Sequence, residues 1–158
     1  MKDYHIRQAT IADLPVLLTF EQALIEAERP FDPTLVPEPF HYYNLEELIL
    51  SPDAEVLVAE ADDQPVASGH CRIYEAKHQY QFERYAFLGF MYTVPAYRGQ
   101  GITQDIMQRL IAWAGANGLK EVRLQVYDEN IAAVKAYEKA GFKKILAEMR
   151  LSTNREKE

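Results

Sequence analysis

Apolar residues recur along this chain with two alternating periods, and the switches between them outline the fold. Residues 4–9 alternate weakly and predict a first strand. Leu14, Leu17, Leu18, Ala23 and Leu24 then recur at helical spacing. They follow Thr10 and Asp13, the two ends of a capping box with Asp in place of the usual Glu. Pro15 falls in the first turn, where its missing N–H costs little, and Arg29-Pro30 ends the helix. A connector carrying Pro33, Pro37 and Pro39 leads to a short helix over 44–50. Residues 55–60 predict a strand, Asp62-Asp63-Gln64-Pro65 a turn, and 66–74 the hairpin partner. A third long strand covers 85–93. Ile102, Ile106, Leu110, Ile111 and Ala114 then mark one helix face that stops at Asn117-Gly118. Residues 122–127 alternate strictly, as a strand does. Asp128 or Asn130 caps a helix over 131–140 that Gly141 closes, and 143–151 predicts a last strand. The order β-α-α-β-β-β-α-β-α-β predicts an α/β chain with a mixed sheet and helices packed on it.

Length and composition set the frame for these elements. At ~100–200 residues per domain, a 158-residue chain predicts one domain, taken as 1–151 with a polar tail at 152–158. Hydrophobic residues at 48% and charged residues at 26% suit a folded globule rather than a disordered chain. A net charge of −7 argues against a protein that coats nucleic acid. The single cysteine, Cys71, excludes an internal disulfide framework and a Cys-rich zinc module. The four histidines, His5, His41, His70 and His78, show no metal-ligand spacing, so no metal is expected. Cys71 and His70 are strand neighbours and point to opposite faces, which disfavours a nucleophile–base pair. No apolar run approaches the ~18 residues of a membrane span. The first residues carry no apolar core of a signal peptide, and a soluble, cytoplasmic protein is expected. The charge is unevenly divided: residues 1–79 hold 15 acidic and 5 basic side chains, residues 80–158 hold 9 and 12. The division reads either as drift in surface composition or as two halves facing ligands of opposite charge.

The chemistry concentrates in the segment from Leu88 to Thr103, LGFMYTVPAYRGQGIT, where an apolar strand feeds a glycine-containing turn that opens into a helix. Glycines let the backbone approach a ligand, and the free N–H groups at a helix start favour a negative group, so the turn suits phosphate. A P-loop is excluded, because no Lys-Ser or Lys-Thr occurs in the chain. A Rossmann dinucleotide site has its first two glycines in Gly99-Gln100-Gly101 and an acid, Glu121, at the expected distance. Its third glycine position is Gln104, and 37 residues remain beyond Glu121, too few for a doubly wound sheet. A loop for the pyrophosphate of coenzyme A is the third reading.

Here the segment resembles motif A of the GCN5-related N-acetyltransferase (GNAT) superfamily, Arg/Gln-x-x-Gly-x-Gly/Ala, which reads Arg98-Gly99-Gln100-Gly101-Ile102-Thr103 in this chain. Thr103 departs from the small residue at the last position, and either crowds the helix start or adds a phosphate hydrogen bond. Met91-Tyr92-Thr93-Val94-Pro95 is similar to the end of the family's fourth strand. Asn130-x-x-Ala133-x-x-x-Tyr137-x-Lys139-x-Gly141-Phe142 is similar to its next motif, and Ile6-Arg7-Gln8-Ala9-Thr10-x-x-Asp13 to its first strand and helix. The three matches run in order across residues 6–142.

The resemblance implies a mostly antiparallel sheet flanked by helices and splayed at the fourth strand, where the pantetheine arm lies. It implies acetyl-CoA as cofactor and a small-molecule or peptide amine as acceptor, with a homodimer by analogy. It assigns backbone contacts with acetyl and pantetheine to Met91, Tyr92 and Thr93, and the pyrophosphate to Arg98, Gly99, Gln100, Gly101, Ile102 and Thr103. An N–H near Met91 would stabilise the oxyanion of acyl transfer. Asn130 reads as a cofactor contact, a helix cap, or both. Tyr137 reads as the acid that protonates the departing thiolate, or as an ordinary half-buried tyrosine. The family's usual strand carboxylate is missing, since Leu88, Gly89 and Phe90 occupy that stretch. Glu83 is the nearest acid for a general base, with Tyr85 as a polar neighbour, and it reads equally as a solvated strand end. Glu28, Arg29, Phe31, Asp32 and Tyr43 are the acceptor-side candidates, and acidic residues there would suit a cationic amine. A non-catalytic module that senses acetyl-CoA, and a nucleotide-binding Rossmann-like module, are the alternatives.

Overall fold

A five-stranded sheet in the order β1-β2-β3-β4-β5 runs through the middle of the protein. The computed structural model describes residues 3–154. The elements run β1 (His5–Gln8), α1 (Leu14–Glu28), α2 (Leu45–Leu50), β2 (Ala54–Ala61), β3 (Gln64–Glu75), β4 (Arg84–Thr93), α3 (Ile102–Ala116), β5 (Val122–Arg123) and α4 (Ile131–Ala140). Pairing is antiparallel from β1 to β4 and parallel between β4 and β5. The expected α/β fold with a mostly antiparallel sheet is present. Part of the tail expected at 152–158 lies outside the described residues.

Period-2 alternation sends the two faces of each strand to different helices. Val56 and Val58 of β2 join Leu17 and Phe20 of α1 and Leu45 and Leu48 of α2 in one buried layer. Leu57 and Ala59 of β2 and Ala67 and Cys71 of β3 pack with Ile102, Ile106, Met107 and Leu110 of α3 in the other. Two-residue turns rarely close without glycine; Asp62 and Asp63 do so at φ 50 and 62 in the β2–β3 hairpin, a conformation that Asp tolerates. The capping box predicted at Thr10 and Asp13 forms, with the Thr10 amide donating to Asp13 at 2.8 Å. It opens a short 3-10 turn that runs into α1.

Strand β4 breaks its own alternation. His70 pairs with Gly89 and Ser68 with Tyr92, so β4 sets two residues, Phe90 and Met91, against the single Gly69. This is a β-bulge. Phe90 takes φ 56, a left-handed conformation uncommon for a residue with a side chain. Leu88 faces the α3 layer and Phe90 the α1/α2 layer, although two residues apart they would share a face in a regular strand. Two hydrogen bonds hold the bulge: the Ser68 hydroxyl donates to the Phe90 carbonyl at 3.0 Å, and the Phe90 amide donates to the Tyr43 hydroxyl at 3.1 Å. A Cβ on Gly69 would stand 2.6 Å from Ile106 and 2.7 Å from Met91, so glycine lets α3 close over the bulge.

The C-terminal third departs from the prediction. The strand expected over 122–127 pairs only at Val122 and Arg123, against Ala86 and Phe87 of β4. The strand expected over 143–151 does not form among the described residues. Alternation states which face a residue would take in a sheet, but not that a neighbouring strand is there to pair with it. Ion pairs tie that segment instead, Lys144 to Asp128 and Arg150 to Asp32, both at 2.9 Å. Ile145, Leu146, Met149 and Leu151 are left exposed. Because β5 pairs so briefly, β4 has no strand neighbour beyond Phe87 on that side among the described residues, and the sheet opens beside Leu88–Thr93.

Candidate active site

The opening beside β4 leads directly to the turn into α3. Gly99 and Gly101 take φ 79 and 83, conformations that fit glycine and strain other residues. Gly101 is the N-cap of α3 and has no side chain to satisfy the helix start. The first helical hydrogen bond runs from the Asp105 amide to the Gly101 carbonyl at 3.1 Å. Among the described residues, none of the amides from Gly99 to Gln104 finds an acceptor in the protein. Gly99, Gly101, Ile102, Thr103 and Gln104 line a cavity of about 140 Å³ together with Thr93, Tyr97 and Arg98. Arg98 donates through Nε to the Thr93 carbonyl at 3.0 Å, and its exposed guanidinium lies 6.0 Å from the centre of the Tyr92 ring. Unpaired amides, the positive end of a helix dipole and a fixed arginine form an anion site. This donor set fits a pyrophosphate. The Thr103 hydroxyl is 3.2 Å from that of Thr93 and ties the start of α3 to the end of β4. A larger cavity of about 400 Å³ lies by the β3–β4 connection and holds no residue of this turn. We place the site at the smaller one because the unpaired donors are there.

On the α1/α2 side of the bulge an aromatic cluster gathers around Tyr43. Tyr43 packs edge-on against His70 and Phe90, with ring centres 5.0 and 5.5 Å apart. On the α3 side, Tyr137 of α4 packs against Phe142. Burial first, and then the negative charge of Glu28, pushes its phenol up to about 12. The same charge raises Tyr42, Tyr43 and Tyr127, behind burial as the main cause. Glu28, the last residue of α1, is half-buried, and burial raises its carboxyl above the usual range.

The remaining acceptor-side candidates are occupied by the protein itself. Asp32 accepts from the Thr34 hydroxyl and amide, from Tyr127 at 3.2 Å and from Arg150 at 2.9 Å, which holds it down at about 2. Arg29 pairs with Glu26 and donates to the Val36 carbonyl. Phe31 stacks on Tyr127 with ring centres 6.0 Å apart. Asn130 caps α4, accepting from the Ala133 amide at 3.3 Å. Glu83 is not brought to the site. It lies just before the far end of β4, exposed, and its carbonyl receives the Ala76 amide. It stands eight positions before Met91, a span of about 25 Å at ~3.3 Å per residue. Cys71 is fully buried on the α3 face, with its thiol pushed up to about 12 by burial, while His70 faces Tyr43. Among the described residues no group of His, Cys, Asp and Glu could hold a metal.

Glu21 is absent from the sequence reading, and His70 enters it only as a histidine without metal spacing and as the strand neighbour of Cys71. Glu21 of α1 is fully buried and accepts from the Tyr42 and Tyr43 amides, each at 2.9 Å, and pairs with His41 at 2.5 Å. It sets the loop that carries Tyr43 onto the bulge. Its signal was available: Leu17, Glu21 and Ile25 share one helix face, so a charge stands among apolar positions. His70 is buried with Nδ1 unpartnered, and burial lowers its pKa to about 4. No spacing in the sequence marks it.

Comparison with known proteins agrees with this geometry. The profile of the Acetyltransferase (GNAT) family matches residues 21–142. The "Uncharacterized N-acetyltransferase YobR" of Bacillus subtilis (strain 168) is 38% identical over 61 residues, 39% of this chain. The aligned part spans a quarter of that relative's length. Among solved structures, a "predicted acetyltransferase with acetyl-CoA" from Clostridium acetobutylicum superposes with a TM-score of 0.74 at 18% identity, covering 94% of this chain and 96% of that one. The aminoglycoside N-acetyltransferase AAC(6')-Iy in complex with CoA superposes with a TM-score of 0.73 at 16% identity, covering 95% and 99%. No helix of the described residues is long and apolar enough to cross a membrane. With more than half of its length matched by the family profile, the chain belongs to the acetyltransferase (GNAT) family.

Proposed function

We propose that the protein is an N-acetyltransferase that moves the acetyl group of acetyl-CoA to a primary amine by direct attack, with both substrates bound together. The run of acceptorless amides from Gly99 to Gln104 carries this reading, because it supplies a pyrophosphate site beside the opening in the sheet. Acetyl-CoA supplies the activated acetyl thioester. Arg98 adds positive charge at the mouth, and the bulge sets the backbone of Met91, Tyr92 and Thr93 along the opening for the acetyl end. Tyr137 holds its proton up to about 12, so at neutral pH it is a phenol that can donate to a departing thiolate. Among the described residues its hydroxyl has no protein partner.

The test is calorimetry with acetyl-CoA together with thiol release across a panel of amines. Wild type is expected to bind acetyl-CoA and release thiol only with amine present. Tyr137→Phe is expected to keep its acetyl-CoA affinity and lose about 100-fold or more in kcat, the usual scale for a lost general acid. Binding without transfer to any amine would leave a sensing module in place of an enzyme.

A further inference from the structure

The segment after α4 carries the barest apolar surface of the protein. Ile145, Leu146, Met149 and Leu151 are 74–92% exposed, and the next large apolar residue among those described, Leu50, stands at 64%. Single apolar residues on a surface are ordinary, but four within seven positions make a patch, and such a patch marks a contact. We propose that residues 143–151 join two copies of this chain, each arm adding a strand to the partner's sheet beyond β5.

The arm is held out rather than folded back. Residues 142–152 contain no helix, turn or bend. In an extended run Lys144, Leu146, Glu148 and Arg150 share one face, and Ile145, Ala147, Met149 and Leu151 the other. Lys144 pairs with Asp128 and Arg150 with Asp32, each at 2.9 Å, and Arg150 also donates to the Thr34 hydroxyl at 2.8 Å. These bonds tie the charged face to the arm's own body near both ends. The wholly apolar face is directed away from it.

The same chain carries the surface that would receive the arm. β5 is an edge of the sheet and pairs only through Val122 and Arg123. Residues 124–127 continue its alternation, yet among the described residues none of their amides finds an acceptor, and no amide of 143–151 does either. An unpaired edge and an unpaired amphipathic strand are two halves of one ladder. They do not meet within one copy. Across a two-fold axis each arm meets the partner's edge, so one symmetric contact completes both. The opening between β4 and β5 stays free, because the edge lies on the far side of β5.

Area and charge favour a second copy as the occupant. A specific dimer buries about 800 Å² on each partner. Four bare apolar side chains, the backbone between them and the edge they cover reach that order. A lipid surface suits the arm less. The chain carries a net charge of −7, and two of the arm's three basic residues are already paired with Asp128 and Asp32.

The experiment runs sedimentation between about 1 and 100 µM and hydrogen exchange on the full chain. It compares wild type, the double variant Ile145→Asp/Met149→Asp, and Glu148→Gln. Wild type is expected to be a dimer in which 143–151 and 124–127 exchange slowly together. The double variant puts two charges into the apolar contact and is expected to dimerise about 100-fold more weakly, with both segments exchanging fast. Both replaced side chains are exposed in the single copy, so its circular dichroism should not change. Glu148→Gln should match wild type. Should the double variant precipitate, wild type decides alone: its melting temperature should rise with concentration, and a constant one overturns the proposal. A wild-type monomer whose arm exchanges fast overturns it and leaves the arm to a different partner. A monomer whose arm exchanges slowly overturns it too, since the arm then closes on its own sheet. A dimer that the double variant leaves intact puts the interface elsewhere and overturns it as well.

Discussion

The turn into α3 and the tyrosine-lined side of the bulge lie on either side of one strand, and they are built in opposite ways. The turn is local and made of backbone: six consecutive residues, two glycines in left-handed conformation and the free amides of a helix start. The other side is assembled from far apart in the chain. Tyr43 comes from the loop before α2, His70 from β3 and Phe90 from β4, and Glu21 of α1 holds the loop in place. A local backbone site tolerates change in the rest of the molecule. A dispersed side-chain site depends on every element that contributes to it.

Glu21→Ala is the sharpest way to break this contrast. It leaves the Tyr42 and Tyr43 amides and His41 without their acceptor, at a cost of about 3 kcal/mol for buried donors of this kind. A thermal melt should show the loss. Amine turnover should fall with it, whereas acetyl-CoA affinity, measured below the melting transition, should stay within about twofold. Equal loss of both functions would mean that the two sites are not independent.

Gly101→Ala tests the other half with a smaller effect. No atom stands within 4 Å of the added Cβ, so only the φ of 83 resists it. That strain is about 1–2 kcal/mol, and about tenfold weaker acetyl-CoA binding is expected by calorimetry. Undiminished binding would show that the turn need not hold this geometry.

The smallest effect is a pH dependence confined to the dispersed side. Unfolded His70 takes up a proton below pH ~6.5, whereas the folded protein keeps it neutral down to about 4. The unfolded state therefore binds more protons in that window, and the contribution of His70 to stability is lost as pH falls through it. The slope is at most about 1.4 kcal/mol per pH unit. His70→Asn should flatten the fall in melting temperature between pH 7 and pH 5 relative to wild type. Parallel curves would remove His70 as the source.

The same contrast explains what could be read before the structure was known. Motif A was legible because its chemistry lies in consecutive residues, and helix α4 was legible to its ends because Asn130 and Gly141 mark them. The bulge at Phe90 was not, since no glycine or proline marks that residue and the cause lies in Ser68 and Tyr43. The strand expected at 143–151 failed for a related reason: a pattern of alternation needs a neighbour to pair with. Glu28 and Asp32 looked alike as acidic residues four apart. Only the fold separates them, because Arg150, Tyr127 and Thr34 reach Asp32 and none of the described residues pairs with Glu28.

By itself the sequence determined the order of the main elements, the family and the glycine turn into α3, all of which depend on neighbours within a few positions. The tertiary structure alone decided where β4 breaks, which carboxylate stays unpaired and which groups hold the bulge. Those outcomes depend on groups brought together across as many as 118 positions, from Asp32 to Arg150, and burial and pairing exist only once the chain has closed on itself.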